Sequence, residues 1–395
     1  MTQEPKIFPY IVRLLQGAEV VWKPLGEVAE LKRGTTITKK TSNEGIYPVI
    51  SGGQQPAYYI DQFNRDGETI TVAGSGAYAG FVMYWNEPIF VGDAFSVKAD
   101  EKQVLPRFIY HFLLSIQEKI YDLKSGGGVP HVYAKDVARF VIPLPPLSVQ
   151  QEIVRILDKF TQLEAELEAE LDCRKRQYEY YRNKLLTFND IGGGTEIVWK
   201  TLGEVGEVTK LAGFEFTNYV KYNDIGKIIA LRGLNVKGSL DLSDVKYIDE
   251  SDFSKLNRSK LYINDMLFTY VGTVGSVALI PENDKYYLAP NVARIRFLDR
   301  RINPRFMFHY FQSDEFEKKQ INRYLGSSSM KNLTMENIRK FQIPLPPLEE
   351  QQRIATILDK FDTLVNSISE GLPKEIALRR KQYEYYREKL LSFPS

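Results

Sequence analysis

The sequence is poor in the residues on which disulfide frameworks, metal centres and membrane spans depend. Of its 395 residues one is a cysteine, Cys173, and three are histidines. A single cysteine excludes an internal disulfide and is typical of a reducing compartment, so we expect a cytoplasmic protein. No hydrophobic run approaches the ~20 residues that a membrane-spanning helix requires. The N-terminus lacks the charged, apolar and small-residue succession of a secretory leader.

Catalytic and cofactor-binding motifs are equally scarce. No Gly-x4-Gly-Lys-Ser/Thr segment is present, which excludes a P-loop nucleotide site. No glycine-rich loop suited to S-adenosylmethionine follows a predicted strand. Three histidines are too few for a histidine-rich metal site, and His111 and His309 occupy equivalent places in a repeated Pro-Arg-Phe segment, which favours packing roles. We therefore predict a non-enzymatic chain that binds no metal or cofactor itself.

The formal net charge of +2 is close to zero, but it is unevenly distributed. Residues 20–146 contain 13 basic and 13 acidic side chains, whereas residues 197–347 contain 22 basic and 17 acidic ones. A weakly basic second half is compatible with a polyanionic partner without being diagnostic of one.

The most informative feature of the sequence is a long internal repeat. Both copies contain an opening octapeptide, a proline-rich segment followed by a glutamine pair, and two short motifs of helical character. The repeated segments are VWKPLGEV from Val21 and VWKTLGEV from Val198, FVIPLPPL from Phe140 and FQIPLPPL from Phe341, ILDKF from Ile156 and Ile357, and QYEYYR from Gln177 and Gln382. Such self-similarity indicates that each copy is one structural unit, here of roughly 170 to 200 residues.

Between the repeated motifs, short β-branched and aromatic runs alternate with glycine, asparagine and aspartate, which predicts strands and turns. A helix begins near Pro106 and near Pro304. We predict an α+β fold in which two globular domains of mixed sheet and helix are joined by two long antiparallel coiled-coil helices with pseudo-two-fold symmetry. The predicted divisions are 1–146 with an N-terminal arm 1–19, a central helix 147–188, a glycine-rich linker 189–196, a second domain 197–347 and a C-terminal helix 348–395.

Apolar residues spaced three and four apart predict the two long helices. The seam, which could also contribute to partner docking, contains Phe160, Leu163, Leu167, Tyr178, Tyr181, Phe361, Leu364, Tyr383 and Tyr386, and the same stripe passes through Ile368. The alternative is that each helix packs only on its own domain. An antiparallel return would place the acidic run 164–172 opposite the basic region 374–381. A helix of ~40 residues is ~60 Å long, so we expect the domains to be held far apart.

The second copy differs from the first between its phenylalanine and tyrosine motifs. Phe160 and Tyr178 are 18 residues apart, whereas Phe361 and Tyr383 are 22 apart, and the extra residues fall near Gly371-Leu372-Pro373. Because proline inside a helix removes a hydrogen bond and clashes with the preceding turn, we expect a kink or short break there.

Two variable domains divided by repeated helices, each introduced by PLPPL, a glutamine pair and ILDKF, resemble the DNA-specificity (S) subunit of a Type I restriction-modification system. The resemblance covers nearly the whole chain. It implies that each variable domain is a target-recognition domain that reads one half of a bipartite double-stranded DNA site. It further implies that the helices set the spacing and dock two methyltransferase (M) subunits, and that restriction (R) subunits join the complex. S-adenosylmethionine, ATP and Mg would be bound by those partner subunits. The Gly371–Pro373 insert departs from the pattern and questions the equivalence of the second dock.

Candidate DNA-binding residues are the polar side chains of predicted loops, since sequence reading needs donors and acceptors at base edges together with phosphate contacts. They are Lys32, Arg33, Lys39, Lys40, Gln54, Gln55, Lys124, Ser125 and His131 in the first domain, and Lys210, Arg232, Thr273, Ser327, Ser328 and Lys331 in the second. The alternative for each is a solvated turn. Tyr78 could stack on a base or fill a sheet face, and we favour the sheet face.

A rival hypothesis from another class is a helical scaffold whose end domains bind proteins instead of DNA. The two hypotheses differ in salt dependence, because phosphate neutralisation makes DNA affinity fall steeply with salt. A protein interface with an apolar core does not behave in this way.

Overall fold

A computed structural model of the chain describes residues 8–188, 197–325 and 332–393. The predicted linker 189–196 lies outside these ranges. The chain forms two compact units: unit 1 contains Met1–Ala169 together with Lys374–Ser395, and unit 2 contains Glu170–Pro373. Each unit therefore includes the end of the helix that begins in the other copy. Within the described ranges, no helix is both long and apolar enough to cross a lipid bilayer.

The described part of the first copy, from residue 8 onward, contains nine strands and six helices. The strands are β1 Val21–Pro24, β2 Ala29–Arg33, β3 Glu44–Ile50, β4 Tyr59–Ile60, β5 Glu68–Ala73, β6 Val82–Asn86, β7 Phe90–Val91, β8 Ala94–Ala99 and β9 Val141–Leu144. The helices are α1 Pro9–Leu15, α2 Leu25–Val28, α3 Pro106–Ser115, α4 Gln117–Tyr121, α5 Ala134–Val137 and α6 Leu147–Leu186.

The described part of the second copy repeats this succession. Its strands are β10 Val198–Thr201, β11 Gly206–Lys210, β12 Ile229–Leu231, β13 Lys246–Tyr247, β14 Met266–Thr269, β15 Val277–Leu279, β16 Tyr286–Leu288, β17 Val292–Phe297 and β18 Gln342–Leu345. Its helices are α7 Leu202–Val205, α8 Gly213–Tyr219, α9 Pro304–Tyr310, α10 Asp314–Phe316, α11 Asn322–Tyr324, α12 Met335–Arg339, α13 Leu348–Asn366 and α14 Leu372–Leu390. Short 3-10 turns occupy Gly233–Asn235, Phe253–Lys255 and Asn257–Ser259, and a π-helical turn occupies Glu317–Ile321.

Both units have the same sheet topology, which confirms the α+β fold class. A four-stranded antiparallel sheet has the order β2-β8-β5-β6 in unit 1 and β11-β17-β14-β15 in unit 2. A three-stranded mixed sheet has the order β4-β3-β7 in unit 1 and β13-β12-β16 in unit 2. In each mixed sheet the central strand pairs in parallel with a strand that follows much later in the sequence, β3 with β7 and β12 with β16.

The repeated openings and proline-rich segments are partners in a two-stranded ribbon. Trp22 lies opposite Pro143 in the β1–β9 pair, and Trp199 lies opposite Pro344 in the β10–β18 pair. A proline can occupy such a ribbon because a two-stranded sheet has only edge strands, where a missing N–H is tolerated. The two sequence motifs of each copy are thus halves of one structural element.

The first residue of each glutamine pair satisfies buried backbone groups. Gln150 is fully buried; its amide oxygen accepts from the Leu105 N–H at 3.0 Å, and its amide nitrogen donates to the Pro145 carbonyl at 2.9 Å. Gln351 makes the equivalent bonds to Asn303 at 2.9 Å and Pro346 at 2.8 Å. Since buried polar groups without partners are costly, this side chain locks the start of each long helix onto the strand-to-helix loop before α3 or α9.

The helices confirm the periodicity analysis, with one correction. Helix α6 is unbroken over its 40 residues. The expected interruption in the second copy is confirmed, because α13 ends at Asn366 and α14 begins at Leu372. Ile368 was expected on the apolar stripe, but it lies in the turn between these helices and is 87% exposed. The stripe prediction was wrong there because the helix had already ended.

The interruption contains a glycine that we predict to be essential for local packing. A Cβ on Gly371 would lie 2.3 Å from the carbonyl oxygen of Thr363 and 2.8 Å from that of Leu364. These are backbone atoms and cannot rotate away. Gly371→Ala should therefore lower the stability by ~1–3 kcal/mol, as overpacking of a tight site does, measured by urea denaturation.

Gly213→Ala is the matched control for this prediction. Gly213 opens α8, and a Cβ there would have no neighbour within 4 Å. The substitution should leave stability unchanged or raise it slightly, since alanine favours helix. Equal midpoints for wild type and Gly371→Ala would contradict the packing argument.

Candidate nucleic-acid interface and helical seam

Apart from Lys39 and Lys40, the candidate residues of unit 1 lie at or beside one end of its four-stranded sheet. Strands β2 and β5 end there, whereas β6 and β8 begin there, since Arg33 pairs with Phe95 and Ala73 with Ala94. Lys32 and Arg33 close β2 and are exposed. The β5–β6 loop, residues 74–81, therefore leaves the sheet beside them.

Two further loops attach to the β5–β6 loop. Ser125 and His131 exchange backbone hydrogen bonds of 3.0 and 2.8 Å, and the Gly76 N–H donates to the Pro130 carbonyl at 3.0 Å. On another side Gly52, which precedes Gln54 and Gln55, packs so closely that a Cβ would lie 2.4 Å from the Ser75 carbonyl oxygen. The fold thus places four candidates on two loops that both contact the β5–β6 loop. They are Gln54, Gln55, Ser125 and His131.

Some candidates of unit 1 have more specific surroundings. Arg33 and His131 line one small pocket together with Asp93. Lys124 extends its ammonium over the Tyr121 ring, 4.4 Å from the centroid, which holds the start of the glycine-rich loop. Lys39 and Lys40 are exposed in a separate turn, closed by a 3.0 Å bond from the Thr41 N–H to the Thr38 carbonyl.

Tyr78 corrects one of the sequence interpretations. It does not fill a sheet face: it lies in the β5–β6 loop and is 47% exposed. The strand β5 ends at Ala73, and Gly76 in the following loop adopts a positive φ of 85°. Its position beside the candidate loops makes it available for stacking.

The candidates of unit 2 occupy the equivalent end of its sheet. Lys210 ends β11 opposite Ala293, and the β14–β15 loop, residues 270–276, leaves the same edge. Thr273 at the centre of this loop is exposed and lines two clefts, each of about 480 Å³. Arg232 lines one of them with Phe216, Tyr222 and Asn291.

Arg232 is less free than its sequence position indicated. Its guanidinium donates to the Asp244 carbonyl at 2.8 Å and to the Asp244 carboxylate at 3.0 Å, and the side chain is 22% exposed. Arg232 therefore supports the cleft wall as well as facing it. Ser327, Ser328 and Lys331 lie outside the described residues, so their role stays a prediction.

The seam residues pack as antiparallel helical segments within each unit. In unit 1 the rings of Phe160 and Tyr386 stack with centroids 5.3 Å apart. In unit 2 Phe361 stacks on Tyr181 at 5.6 Å and on Tyr178 at 6.1 Å. Tyr178 and Tyr383 are buried, so they belong to the seam and are not exposed for partner docking.

The remaining seam residues and the charge pairing are consistent with this arrangement. Leu167 and Leu364 are partly buried, whereas Leu163 is 42% exposed. The expected pairing of the acidic run with the basic region occurs in unit 1, where Arg380 bonds to Glu164 and Glu168. Because Arg380 and Glu168 are about half exposed, the pairs contribute little to stability.

A polar side-chain network centred on a fully buried histidine occurs once in each unit, and we call it the polar clamp. In unit 1 it consists of Arg107, His111, Asp158 and Tyr383. His111 is fully buried; its Nε2 lies 2.7 Å from the Asp158 carboxylate and its Nδ1 lies 2.8 Å from the Tyr383 hydroxyl. Arg107 adds a bond from its Nε to Asp158 at 3.0 Å.

The clamp of unit 2 uses the equivalent residues Arg305, His309, Asp359 and Tyr178. The corresponding distances are 2.7 Å from His309 Nε2 to Asp359, 3.2 Å from His309 Nδ1 to the Tyr178 hydroxyl, and 3.0 Å from Arg305 Nε to Asp359. In each unit the clamp ties the helix beside the sheet, α3 or α9, to the two segments of the seam.

The electrostatics of the clamp favour a neutral imidazole. Burial lowers the pKa of His111 and of His309, against the opposing effect of the carboxylate. Nε2 then donates to the carboxylate and Nδ1 accepts from the tyrosine. Burial also raises the pKa of Tyr178 and of Tyr383 to about 12, so each hydroxyl keeps its proton.

The clamp carboxylates respond to two opposing influences. Burial by itself would raise the pKa of Asp158 and Asp359, but the hydrogen bonds from histidine and arginine outweigh it. The pKa of each carboxyl is therefore lowered, and both stay ionised at neutral pH. Over the described ranges, no cluster of three or more His, Cys, Asp or Glu side chains is arranged to hold a metal ion.

Sequence reasoning identified His111 and His309 as packing residues but missed their partners. Asp158 and Asp359 are the central residues of the repeated ILDKF motif, so the repeat itself was the available signal. The sequence analysis also did not include two exposed tyrosines among the docking candidates. Tyr180 and Tyr385 occupy equivalent positions of QYEYYR and are 59% and 52% exposed. Each has a lysine ammonium 5.6 or 5.7 Å from its ring centroid.

The lowered histidine pKa values predict acid sensitivity. Below the unfolded value of about 6.5 the unfolded chain binds protons that the folded chain does not. Stability is therefore complete above that pH and declines as the pH falls through 6.5 toward the lower folded values. The two carboxyls act in the same direction below ~3.9. Thermal unfolding between pH 8 and pH 5 should show a falling midpoint.

Histidine NMR provides the site-specific check. With 13C-labelled histidine, the resonances of His111 and His309 should report neutral rings at pH 6.5, where a free histidine is about half protonated. The His131 resonance is identified by its loss in His131→Gln. Rings at positions 111 and 309 that are already half protonated at pH 6.5 or above would contradict this account.

Comparison with known proteins places these features in a family context. The family model described as "Type I restriction modification DNA specificity domain" matches residues 18–172 and again residues 196–378. The specificity subunit of the type I restriction enzyme EcoR124I/EcoR124II of Escherichia coli is 31% identical over 98% of this chain and 97% of its own length. A putative type I restriction enzyme specificity subunit of Haemophilus influenzae is 30% identical over 97% of this chain and 98% of its own.

Solved structures show the same fold. The S subunit of a Type I restriction-modification system from M. genitalium superposes with a TM-score of 0.63, at 16% identity, over 100% of this chain and 99% of its own. A chain from a study of assembly and conformational transition of the type I R-M system gives 0.57 at 18% identity, over 95% of this chain and 98% of its own.

Proposed function

Because the chain belongs to the Type I restriction-modification DNA specificity family, we propose that its two sheets each read one half of a bipartite DNA site. The chain is the DNA-recognition component of such a system and is not itself catalytic. The observation that carries the proposal is that equivalent sheet ends in units of the same topology present different polar loops. A shared framework with different loops suits two independent readings.

The candidate contacts divide into two kinds. Lysines at the sheet ends, such as Lys32 and Lys210, suit phosphates, because they are exposed point charges. The β5–β6 and β14–β15 loops suit base edges, because exposed polar tips such as Thr273 can enter a major groove about 12 Å wide. Tyr78 on the first of these loops offers a flat face for stacking.

The helices serve two further purposes in this proposal. Helix α6 is one continuous element with its beginning in unit 1 and its end in unit 2, so its length can fix the number of unread base pairs between half-sites. The repeated outward face of the seam docks two methyltransferase subunits, and restriction subunits join the complex. S-adenosylmethionine, ATP and Mg belong to those subunits, and the assembly works in the cytoplasm.

The test of DNA reading uses two substitutions in unit 2. Thr273→Ala removes an exposed side chain from the β14–β15 loop and should change base preference in one half-site only, by ~1–3 kcal/mol for the affected base. Lys210→Ala should weaken binding evenly across sequences and reduce the slope of log affinity against log salt by ~0.9. Methylation mapping of the assembled complex and fluorescence anisotropy on DNA duplexes measure these effects.

Lys200→Ala is the control. Lys200 lies in the same unit but in β10, just before the start of β11, at the opposite end of that strand from Lys210. It should leave both base preference and salt slope unchanged. A change in both half-sites together after Thr273→Ala would contradict independent reading. Binding of wild type that does not weaken with salt would favour the protein scaffold hypothesis.

The docking proposal predicts a role for the exposed tyrosines of the repeated motif. Tyr180→Ala should weaken attachment of one methyltransferase subunit and Tyr385→Ala that of the other, and the double variant should lose both. A tyrosine at the centre of an interface is worth ~2 kcal/mol or more, or roughly thirtyfold in affinity. Native mass spectrometry and analytical ultracentrifugation give the number of subunits bound.

Lys175→Ala is the docking control, since this exposed residue lies ~140° around the same helix from Tyr180. It should leave both subunits attached. Retention of two subunits by the double tyrosine variant would exclude this face as the dock.

A further inference from the structure

The polar clamp consists of side chains from segments that are distant in sequence. In unit 1, His111 comes from α3 beside the sheet, Asp158 from the first part of α6, and Tyr383 from α14. In unit 2, His309, Asp359 and Tyr178 come from α9, α13 and the last part of α6. In each unit, one imidazole ring therefore connects the helix beside the recognition sheet to both helical segments of the seam.

The clamp is a poor device for stability alone. Its arginine–aspartate pair is only partly buried, since the Asp158 and Asp359 side chains are 36% and 35% exposed, and exposed ion pairs contribute little to stability. The surrounding seam is already apolar and aromatic, with stacked rings such as Phe160 and Tyr386. Such stacked faces tolerate sliding, whereas hydrogen bonds require one distance and one direction.

The repetition of the clamp points the same way. Arginine, histidine, aspartate and tyrosine occupy equivalent places in both units, although the loops of the two units differ. All hydrogen-bonding positions of the imidazole are used in each unit, with tyrosine hydroxyl distances of 2.8 and 3.2 Å. A buried imidazole with both nitrogens paired specifies one arrangement of the elements that it joins.

We propose that the hydroxyls of Tyr383 and Tyr178 are positioning groups that fix the setting of each recognition sheet on the helical seam, and thereby make the protein strict about the spacing between half-sites. This inference rests on the proposed function. The tyrosines do not touch DNA; they act through His111 and His309. Their removal should relax the spacing requirement and leave the bases read in each half-site unchanged.

The experiment compares wild type, Tyr383→Phe, Tyr178→Phe and the double variant, each assembled with its methyltransferase subunits. Substrates are duplexes that contain both half-sites, mapped first for wild type, with the natural spacer or a spacer one base pair shorter or longer. Phenylalanine keeps the ring and its burial and removes only the hydroxyl. Methylation rates on the three spacers are measured together with the thermal midpoint.

Wild type should strongly prefer one spacer. One hydrogen bond is worth ~0.5–1.5 kcal/mol, so each single variant should lose up to about tenfold of that preference and the double variant more. The preference at each base position should stay as in wild type. Tyr262→Phe is the control: its ring is 41% exposed and it precedes β14, at the end of the strand away from Thr273. It should discriminate spacers like wild type.

The outcomes separate the two proposals. A wild type that methylates no bipartite site would overturn the proposed function itself. A double variant that is active on the natural spacer and equally strict about the other two would overturn the positioning role, whatever its thermal midpoint. Should the double variant fail to fold, the single variants carry the comparison, since each leaves one clamp intact. Failure of both single variants to fold would also overturn it, because the hydroxyls would then be needed for folding itself.

Discussion

The structure depends on one fully buried imidazole in each unit, which is paired with a carboxylate on one side and a tyrosine hydroxyl on the other. A fully buried ring nitrogen that lacked a partner would cost ~1–3 kcal/mol. In each unit Asp158 or Asp359 is ionised because arginine and histidine both donate to it. The other nitrogen of the histidine is an acceptor, and the tyrosine hydroxyl donates to it. One imidazole therefore constrains the placement of the aspartate, the tyrosine and the segments that carry them.

The repeated motifs of the sequence follow from this kind of requirement. The opening octapeptide and the proline-rich segment pair in a ribbon, the first glutamine satisfies the backbone around it, and ILDKF and QYEYYR provide clamp and seam residues. Each of these roles demands a specific donor, acceptor or ring at a fixed place. The loops at the sheet ends carry fewer such demands from the fold, so the two copies can differ there. The repeated framework residues are mostly buried, whereas the loops that differ between the copies are mostly exposed.

Much of the fold could be predicted because periodicity and repetition survive in the sequence. The 40-residue helix α6, the break before α14 and the α+β class were predicted from spacing, proline and turn residues. The candidate site was harder to predict from the sequence. Tyr178 and Tyr383 appeared as docking candidates because a helical stripe does not show which of its tyrosines is buried. Tyr78 and Ile368 were misplaced because strand and helix ended earlier than their patterns indicated. The Asp244 partner of Arg232 could not be inferred, since it depends on how a loop folds back.

The clamp also bears on how the chain can fold. The core of unit 1 includes Tyr383, Leu390 and Phe393 from the C-terminal end, and the core of unit 2 includes Tyr178 and Leu186 from the first long helix. Contacts of such long sequence separation carry a loop-closure cost before they contribute stability. Without its distant helix a unit would expose an apolar seam and leave a buried histidine without its tyrosine. Completion of either core thus requires residues from the other copy, so the folding of each sheet is coupled to the other copy.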